Sequence, residues 1–318
     1  MSNKASESFP MNAGDGPNSY TQNSSYQRGG LNIVKEMIDE VISEKLDIDV
    51  LSSSELFSIA DLGCSTGPNT FTVVQNIIDA VKLKFQSHSI EFQVFFNDHV
   101  SNDFNTLFKS LPPSRTYFAG GQPGSFHGRL FPKASLHFVH SSYALHWLSV
   151  VPNEVVNESS PAYNKGRIHY GNAAEEVIDA YSAQFAKDFE AFCKPGHKNF
   201  LVDMTETGLV SEAQLDSFNL PVYNASLEEL RALTVKNGRF SIERMEPVFR
   251  YAPTAEMCTI HLRAGGMERV FSEHFGSEIM DEFFDRYAKN VAESSILNDL
   301  TEKDSAELFV LLKRKVID

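Results

Sequence analysis

Two acids at the tips of neighbouring strand-like runs are the first chemistry this sequence offers. Asp61 closes the apolar stretch 57–62 and opens the turn Asp61-Leu62-Gly63-Cys64-Ser65-Thr66-Gly67-Pro68-Asn69, while Asp98 ends the β-rich stretch 90–96 after Asn97. The glycines let backbone approach a ligand closely, and the helix N-terminus beyond the turn favours negative charge. A pyrophosphate would want a third glycine, and position 68 is a proline. An acid at position 61 suits an ammonium group better than a phosphate. Asp98 stands where a carboxylate can accept both hydroxyls of a ribose. S-adenosylmethionine has an amino-acid tail, a sulfonium cation and a ribose, with no phosphate. Either acid alone reads equally well as a turn cap after a strand. Together, with a glycine turn between strand and helix, the cofactor reading wins.

A second group lies in Ser141-Ser142-Tyr143-Ala144-Leu145-His146-Trp147, which holds the only tryptophan of the chain. Tyr143, His146 and Trp147 offer an aromatic wall with a phenol, an imidazole and an indole N–H as donors. Tyr143 and His146 are three apart, so on a helical turn they share a face. Composition alone would leave these aromatics in the core. Gly124-Ser125-Phe126 reads as a loop whose ring could cover an adenine, and Asp216-Ser217-Phe218-Asn219 as a turn with a helix cap. The ten histidines include no His-x-x-x-His pair, which argues against a catalytic zinc.

The elements that must hold these groups follow from periodicity. Ile33, Val34, Met37, Ile38, Val41 and Ile42 give 31–46 a helical period, and Val73, Val74, Ile77, Ile78 and Val81 give a second. A long helix is expected over 175–192, with strands at 136–139, 240–245 and 308–312. Strand, glycine turn, helix, strand and acid open a doubly wound parallel sheet. Segments 151–165 and 216–226, rich in Asn, Pro and Ser, are expected to build a lid over the carboxyl ends of the strands, where ligands bind in such sheets. Residues 1–30, rich in Ser, Asn and Gly, read as a flexible segment covering the site. The whole is expected to be a single unit, with a core of 31–144, 167–204, 240–263 and 306–315. The remaining stretches, 145–166, 205–239 and 264–305, would form a helical cap.

Composition narrows the partners. The 318 residues are 42% hydrophobic and 22% charged, which fits a globular protein. The net charge of −14 and the lack of a basic stripe exclude a phosphate-backbone binder, so nucleic acid is not expected. No run approaches the ~20 apolar residues of a membrane span, and no apolar signal region opens the chain. Three widely spaced cysteines suit a reduced, cytoplasmic compartment.

In order along the chain, these motifs resemble the SABATH family of plant small-molecule methyltransferases. Ser19-Tyr20, Asn23-Ser24, Gln27-Arg28 and the turn at 61–69 carry the resemblance, with Asn97-Asp98, Asn102-Asp103-Phe104-Asn105 and Pro123-Gly124-Ser125-Phe126. Ser142-Tyr143 with Trp147, Asn164-Lys165-Gly166 and Asp216-Ser217-Phe218-Asn219 complete it. The resemblance implies an α/β fold: a class I Rossmann-like methyltransferase sheet with a helical cap. It implies S-adenosylmethionine contacts at Tyr20, Cys64, Asn69, Asp98, His99, Ser125, Phe126 and Ser142, which Asp61 and Gly63 join from the turn chemistry above. It implies acceptor contacts at Tyr20, Gln27, Tyr143, His146 and Trp147, a Mg²⁺ near Asn164, Asp216, Phe218 and Asn219, and a homodimer. The activity implied is methylation of the carboxylate of a small acid, foremost an iridoid acid, without a general base. Transfer to a purine-like ring nitrogen and a non-catalytic paralogue stay open as alternatives.

Two departures stand out. Many members carry a lysine where this chain has Met11-Asn12-Ala13-Gly14. After Phe192 the family continues into a glycine turn, a buried strand and a further helix, whereas this chain reaches the counterpart of that helix by Leu201. One core strand and its crossover, ~30 residues of a βαβ unit, are expected to be missing unless 199–204 substitutes as the strand.

Overall fold

A computed structural model describes residues 11–46, 56–86, 89–193, 216–249, 255–263, 267–293 and 306–315. Its first two elements are helices, α1 (Tyr20–Asn23) and α2 (Ser25–Lys45), where composition suggested a loose segment. Ser19, Ser24, Gln27 and Gly30 are buried here, so this stretch is packed against its neighbours. Polar composition misleads because the segment seats its small and amide side chains against the cofactor turn. Residues 11–23 are also stitched down by polar bonds. Gly14 N donates to Asp103 Oδ2 at 3.2 Å, and Thr21 Oγ1 lies 3.2 Å from Thr66 Oγ1. Asn12 donates to the carbonyl of Arg263 at 3.1 Å and to Glu268 Oε2 at 3.3 Å.

Strand β1 (Leu56–Leu62) is buried from Phe57 onward on both faces, as a central parallel strand must be. α3 (Asn69–Phe85) follows the turn and lays Val73, Val74, Ile77, Ile78 and Val81 on the sheet, the periodic face expected from the sequence. It ends where Gln86 adopts a left-handed conformation. β2 (Glu91–Asp98), the short helix α4 (Phe104–Lys109), β3 (Phe118–Pro123) and β4 (Phe138–His140) complete a parallel sheet of order β3-β2-β1-β4. The register aligns Asp61 with Phe96 and His140, and Asp98 with Pro123. The strand tips therefore form one rim.

Two strands differ from expectation. β3, with the sequence Phe-Ala-Gly-Gly-Gln-Pro, has no β-rich signal and pairs because β2 offers it an open ladder. β4 begins at Phe138, after His137 has made the ladder contacts in another way: its N–H donates to Ser58 O at 2.9 Å and its Nδ1 accepts from Ser58 N at 2.9 Å.

Further helices are α5 (Glu175–Cys193), α6 (Leu227–Asn237), α7 (Ala255–Leu262), α8 (Glu268–Phe275) and α9 (Met280–Glu293). α6 opens on a reciprocal capping box between Ser226 and Glu229 and closes on Gly238 in the left-handed region. Tyr181, Phe185 and Phe189 of α5 pack with Leu148, Val155 and Tyr223. Phe218 packs with Phe271, Phe275 and Phe284 in a separate cap cluster.

β5 (Phe240–Phe249) and β6 (Ala306–Arg314) pair antiparallel as a second sheet of two strands. Among the described residues nothing pairs this ribbon with the four-stranded sheet. It is held instead by Phe309, which packs on the main core, and by Arg244, which meets Glu40 of α2 at 2.8 Å. The alternative strand at 199–204 lies outside the described residues.

Candidate active site

The turn after β1 is built by the strand beside it. Gly63 N and Cys64 N both donate to Asn97 O at 2.9 Å, and Ser65 N donates to Asp98 Oδ2 at 2.7 Å. His99 N donates to the other Asp98 oxygen at 2.7 Å. Gly63 sits at φ +83°, and a Cβ there would lie 2.4 Å from Cβ of Ala144, so only glycine permits the approach. Asp61 is buried and accepts from Thr70 Oγ1, with His140 Nδ1 2.6 Å away. Burial pushes the Asp98 carboxyl above the usual carboxylate range, against the backbone donors and His99, which lower it. Burial likewise lowers His99, opposed by the Asp98 charge.

The N-terminal helices close over this turn. Asn69 Nδ2 donates to Ser24 O at 3.0 Å, and Arg28 Nε donates to Asn69 Oδ1 at 3.3 Å. The Tyr20 phenol is pushed up to about 12, first by burial and then by the charges of Asp61 and Asp98, with a hydrogen bond to Asn69 opposing. On the far side, Gly124 N donates to Asp98 O at 2.8 Å, which brings the Ser125-Phe126 loop to the rim. Phe126 Cε1 lies 3.9 Å from where a Gly63 Cβ would be. Tyr20, Asp61, Gly63, Cys64, Asn69, Asp98, His99, Ser125 and Phe126 thus share one neighbourhood. Ser142 joins it by adjacency to Ser141, whose Oγ donates to Leu62 O at 2.9 Å.

Several buried polar atoms here have no protein partner: Ser24 Oγ, Ser65 Oγ, Asn97 Oδ1 and Asn102 Oδ1. Buried acceptors in native proteins are normally satisfied. A ligand rich in donors, carrying an ammonium and ribose hydroxyls, fits that set. Burial beside both acids pushes the Cys64 thiol well up, which disfavours its thiolate.

The acceptor segment follows β4 directly. It is not helical: Tyr143 has φ +55°, which interrupts any helix, and Trp147 N closes a turn on Ala144 O at 3.1 Å. Tyr143 and His146 therefore do not share a helical face. The lid segment 216–226 meets this strip. Trp147 bridges Val222, Leu148 N donates to Pro221 O at 2.6 Å, and Tyr223 N donates to His146 O at 2.9 Å. Gln27 is buried on α2, where the neighbouring Tyr26 ring meets Tyr143 edge-on at 6.3 Å.

His127, which the sequence reading did not single out, links the two halves. Its Nε2 lies 3.3 Å from Trp147 O, and its ring packs on Phe126 at 4.6 Å. Burial lowers its pKa, opposed chiefly by the Asp188 charge. Asp188 in turn accepts from Ser149 N at 2.8 Å, from Ser149 Oγ and from Gln184 Nε2 at 3.0 Å. No local pattern advertises His127, His140 or Asp188; their roles come from partners far away in sequence.

The four residues expected near Mg²⁺ also meet, apart from the cofactor turn. Asn164 Nδ2 donates to Asn219 Oδ1 at 2.5 Å, and Gly166 N donates to Asp216 Oδ1 at 2.8 Å. Asn164 Oδ1 is buried with no protein partner. Phe218 turns its ring into the cap cluster, so only its carbonyl could serve a cation. No group of three or more His, Cys, Asp or Glu side chains suited to a metal occurs among the described residues. One orphaned amide oxygen and one carboxylate fit a hard, oxygen-loving ion, with a small charge count.

Strand-tip acids, a glycine turn and a covering aromatic define an S-adenosylmethionine-dependent methyltransferase. A family model described as SAM dependent carboxyl methyltransferase matches residues 6–199 and 196–315. Loganic acid O-methyltransferase of Catharanthus roseus is 42% identical over 355 residues, 98% of this chain and 95% of that protein. Farnesoic acid carboxyl-O-methyltransferase of Arabidopsis thaliana is 43% identical over 281 residues, 76% of this chain and 80% of that protein. A solved loganic acid methyltransferase with SAH superposes with a TM-score of 0.88 at 41% identity, covering 96% of this chain and 99% of that one. The chain belongs to the SABATH family of S-adenosylmethionine-dependent carboxyl methyltransferases.

The family match breaks at 196–199, and 355 aligned positions exceed the chain's own 318 residues, so the alignment opens gaps in this chain. The break falls where the resemblance implied a missing strand and crossover. No helix of the described residues is long and apolar enough to cross a membrane.

Proposed function

We propose that this chain transfers the methyl group of S-adenosylmethionine to the carboxylate of a small plant acid, with loganic acid as the best candidate, giving a methyl ester. The observation that carries this reading is the join between the two sites. Ala144 packs against Gly63, and His127 ties the Phe126 loop to the Trp147 backbone.

A carboxylate acceptor with a pKa of about 4 is ionised at neutral pH and needs no general base. Its oxygen must lie in line with the methyl–sulfur bond, and positioning of that kind can supply on the order of 7–11 kcal/mol. In this reading Asp61 faces the ammonium end of the cofactor, Asp98 the ribose and Phe126 the adenine. Gln27, Trp147 and His146 hold the acceptor carboxylate by hydrogen bonds, and Tyr143 with Tyr20 shapes the wall. The setting is a cytoplasmic homodimer, supported by three free cysteines and by the family resemblance.

The test is methyl transfer from labelled cofactor to loganic, farnesoic, salicylic and jasmonic acids beside xanthines. Ester formation with an acid supports the reading; transfer to xanthine nitrogen alone refutes it. Trp147→Phe is expected to lower turnover by roughly 10- to 100-fold, the worth of one hydrogen bond to a charged group. Its affinity for S-adenosylhomocysteine should stay near the parent's. Equal losses in both would remove Trp147 from the acceptor side.

Mg²⁺ would be held by Asn164 Oδ1, Asp216 and the Phe218 and Asn219 carbonyls, where it would offset the Asp216 charge and cross-link the two lid segments. Added Mg²⁺ should raise the melting midpoint of the parent and leave Asp216→Ala unmoved. The separation of the two sheets among the described residues favours one second reading, a chain that binds cofactor without turnover. Cofactor binding in calorimetry with no product from any acid would establish it.

A further inference from the structure

Tyr143 is held in an uncommon way. A bulky aromatic at φ +55° persists only where its surroundings impose that conformation. Its phenol donates to Glu307 Oε2 at 2.7 Å, from the first residues of β6. Gly30 of α2 faces the same phenol: a Cβ there would lie 2.0 Å from the Tyr143 oxygen and 2.9 Å from Glu307 Oε2. Tyr26, one helical turn before Gly30, packs its ring edge-on against Tyr143. Three elements far apart in sequence therefore converge on one side chain. A carboxylate is the wrong partner for a carboxylate acceptor, so Glu307 can act only through the residue it holds.

We infer that Glu307 is a positioning residue that fixes Tyr143 across the Gly30 gap and so sets the acceptor wall. The inference rests on the acceptor role proposed for Tyr143, and it makes the β5–β6 ribbon part of the site although nothing among the described residues pairs that ribbon with the main sheet.

A double-mutant cycle tests it in the full chain. Trp147 is the only tryptophan, so its fluorescence can follow titration with loganic acid in the presence of S-adenosylhomocysteine. Tyr143→Phe and Glu307→Leu should each weaken acid binding about tenfold, and the double variant no more than either alone. Affinity for S-adenosylhomocysteine should be unchanged in all three. Glu307→Gln, which still accepts from the phenol, should restore acid binding to within about twofold of the parent. An unchanged acid affinity in Glu307→Leu, or losses that multiply in the double variant, would overturn the inference. The same cycle run on melting midpoints needs no acceptor. A parent that binds S-adenosylhomocysteine but no loganic acid would count against the proposed substrate. The inference would then stand on non-additive melting losses and fall on additive ones.

Discussion

Asp98→Ala is expected to abolish useful cofactor binding, weakening S-adenosylhomocysteine by at least about a hundredfold, since two hydrogen bonds to a charged acceptor are each worth about 1.5–3 kcal/mol. The variant would also strand Ser65 N and His99 N, which this carboxylate now accepts at 2.7 Å each. A turn shaped by those two bonds loses its form as well as its ligand contact. Calorimetric titration measures the loss, and an affinity within threefold of the parent would remove Asp98 from the ribose position.

The pH dependence has a definite sign. Burial raises the Asp98 carboxyl, so protonation begins at a higher pH than for a surface aspartate. Cofactor affinity should therefore be full above that raised pKa and fall as pH drops through it. Asp98→Asn should bind weakly at all pH values and show no such acid limb.

The second large effect concerns stability. Grafting the corresponding segment of the Catharanthus relative at 196–199, where the family match breaks, is expected to raise the melting midpoint by about 10 °C. A strand supplied there could pair with the edge of β4 through several backbone bonds, each worth about 1 kcal/mol net. Val139 of β4 is 46% exposed, which is uncommon for a strand that should lie inside a sheet. A graft should also raise cooperativity, seen as a larger denaturant slope. An unchanged midpoint would mean that the present chain already satisfies its sheet edges by another route.

Much of the site was legible in the sequence because its chemistry is local. The turn at 61–69 carries its own glycines, Asp98 sits at the end of its own strand, and the apolar faces of α2 and α3 follow a 3.6-residue period in the chain itself. These features need only short-range sterics and hydrophobic patterning, and the structure sets the strand-tip acids where the pattern implies. The start of the N-terminal helices is not legible in the same way, because small polar residues look like a linker until the surface they cover is known. β3 was missed for a related reason, since its glycines carry no β signal and its pairing is supplied by β2.

What tertiary structure alone decided is which distant residues complete the site. His140 reaches Asp61 across 79 residues, and Glu307 reaches Tyr143 across 164. Such contacts depend on strand order and on how the ribbon docks, and neither is written in local spacing. The departure of residues 141–147 from a helix belongs here too. Its left-handed Tyr143 meets Gly30, Tyr26 and Glu307 from outside the segment, and such contacts have no signature in the residues around Tyr143.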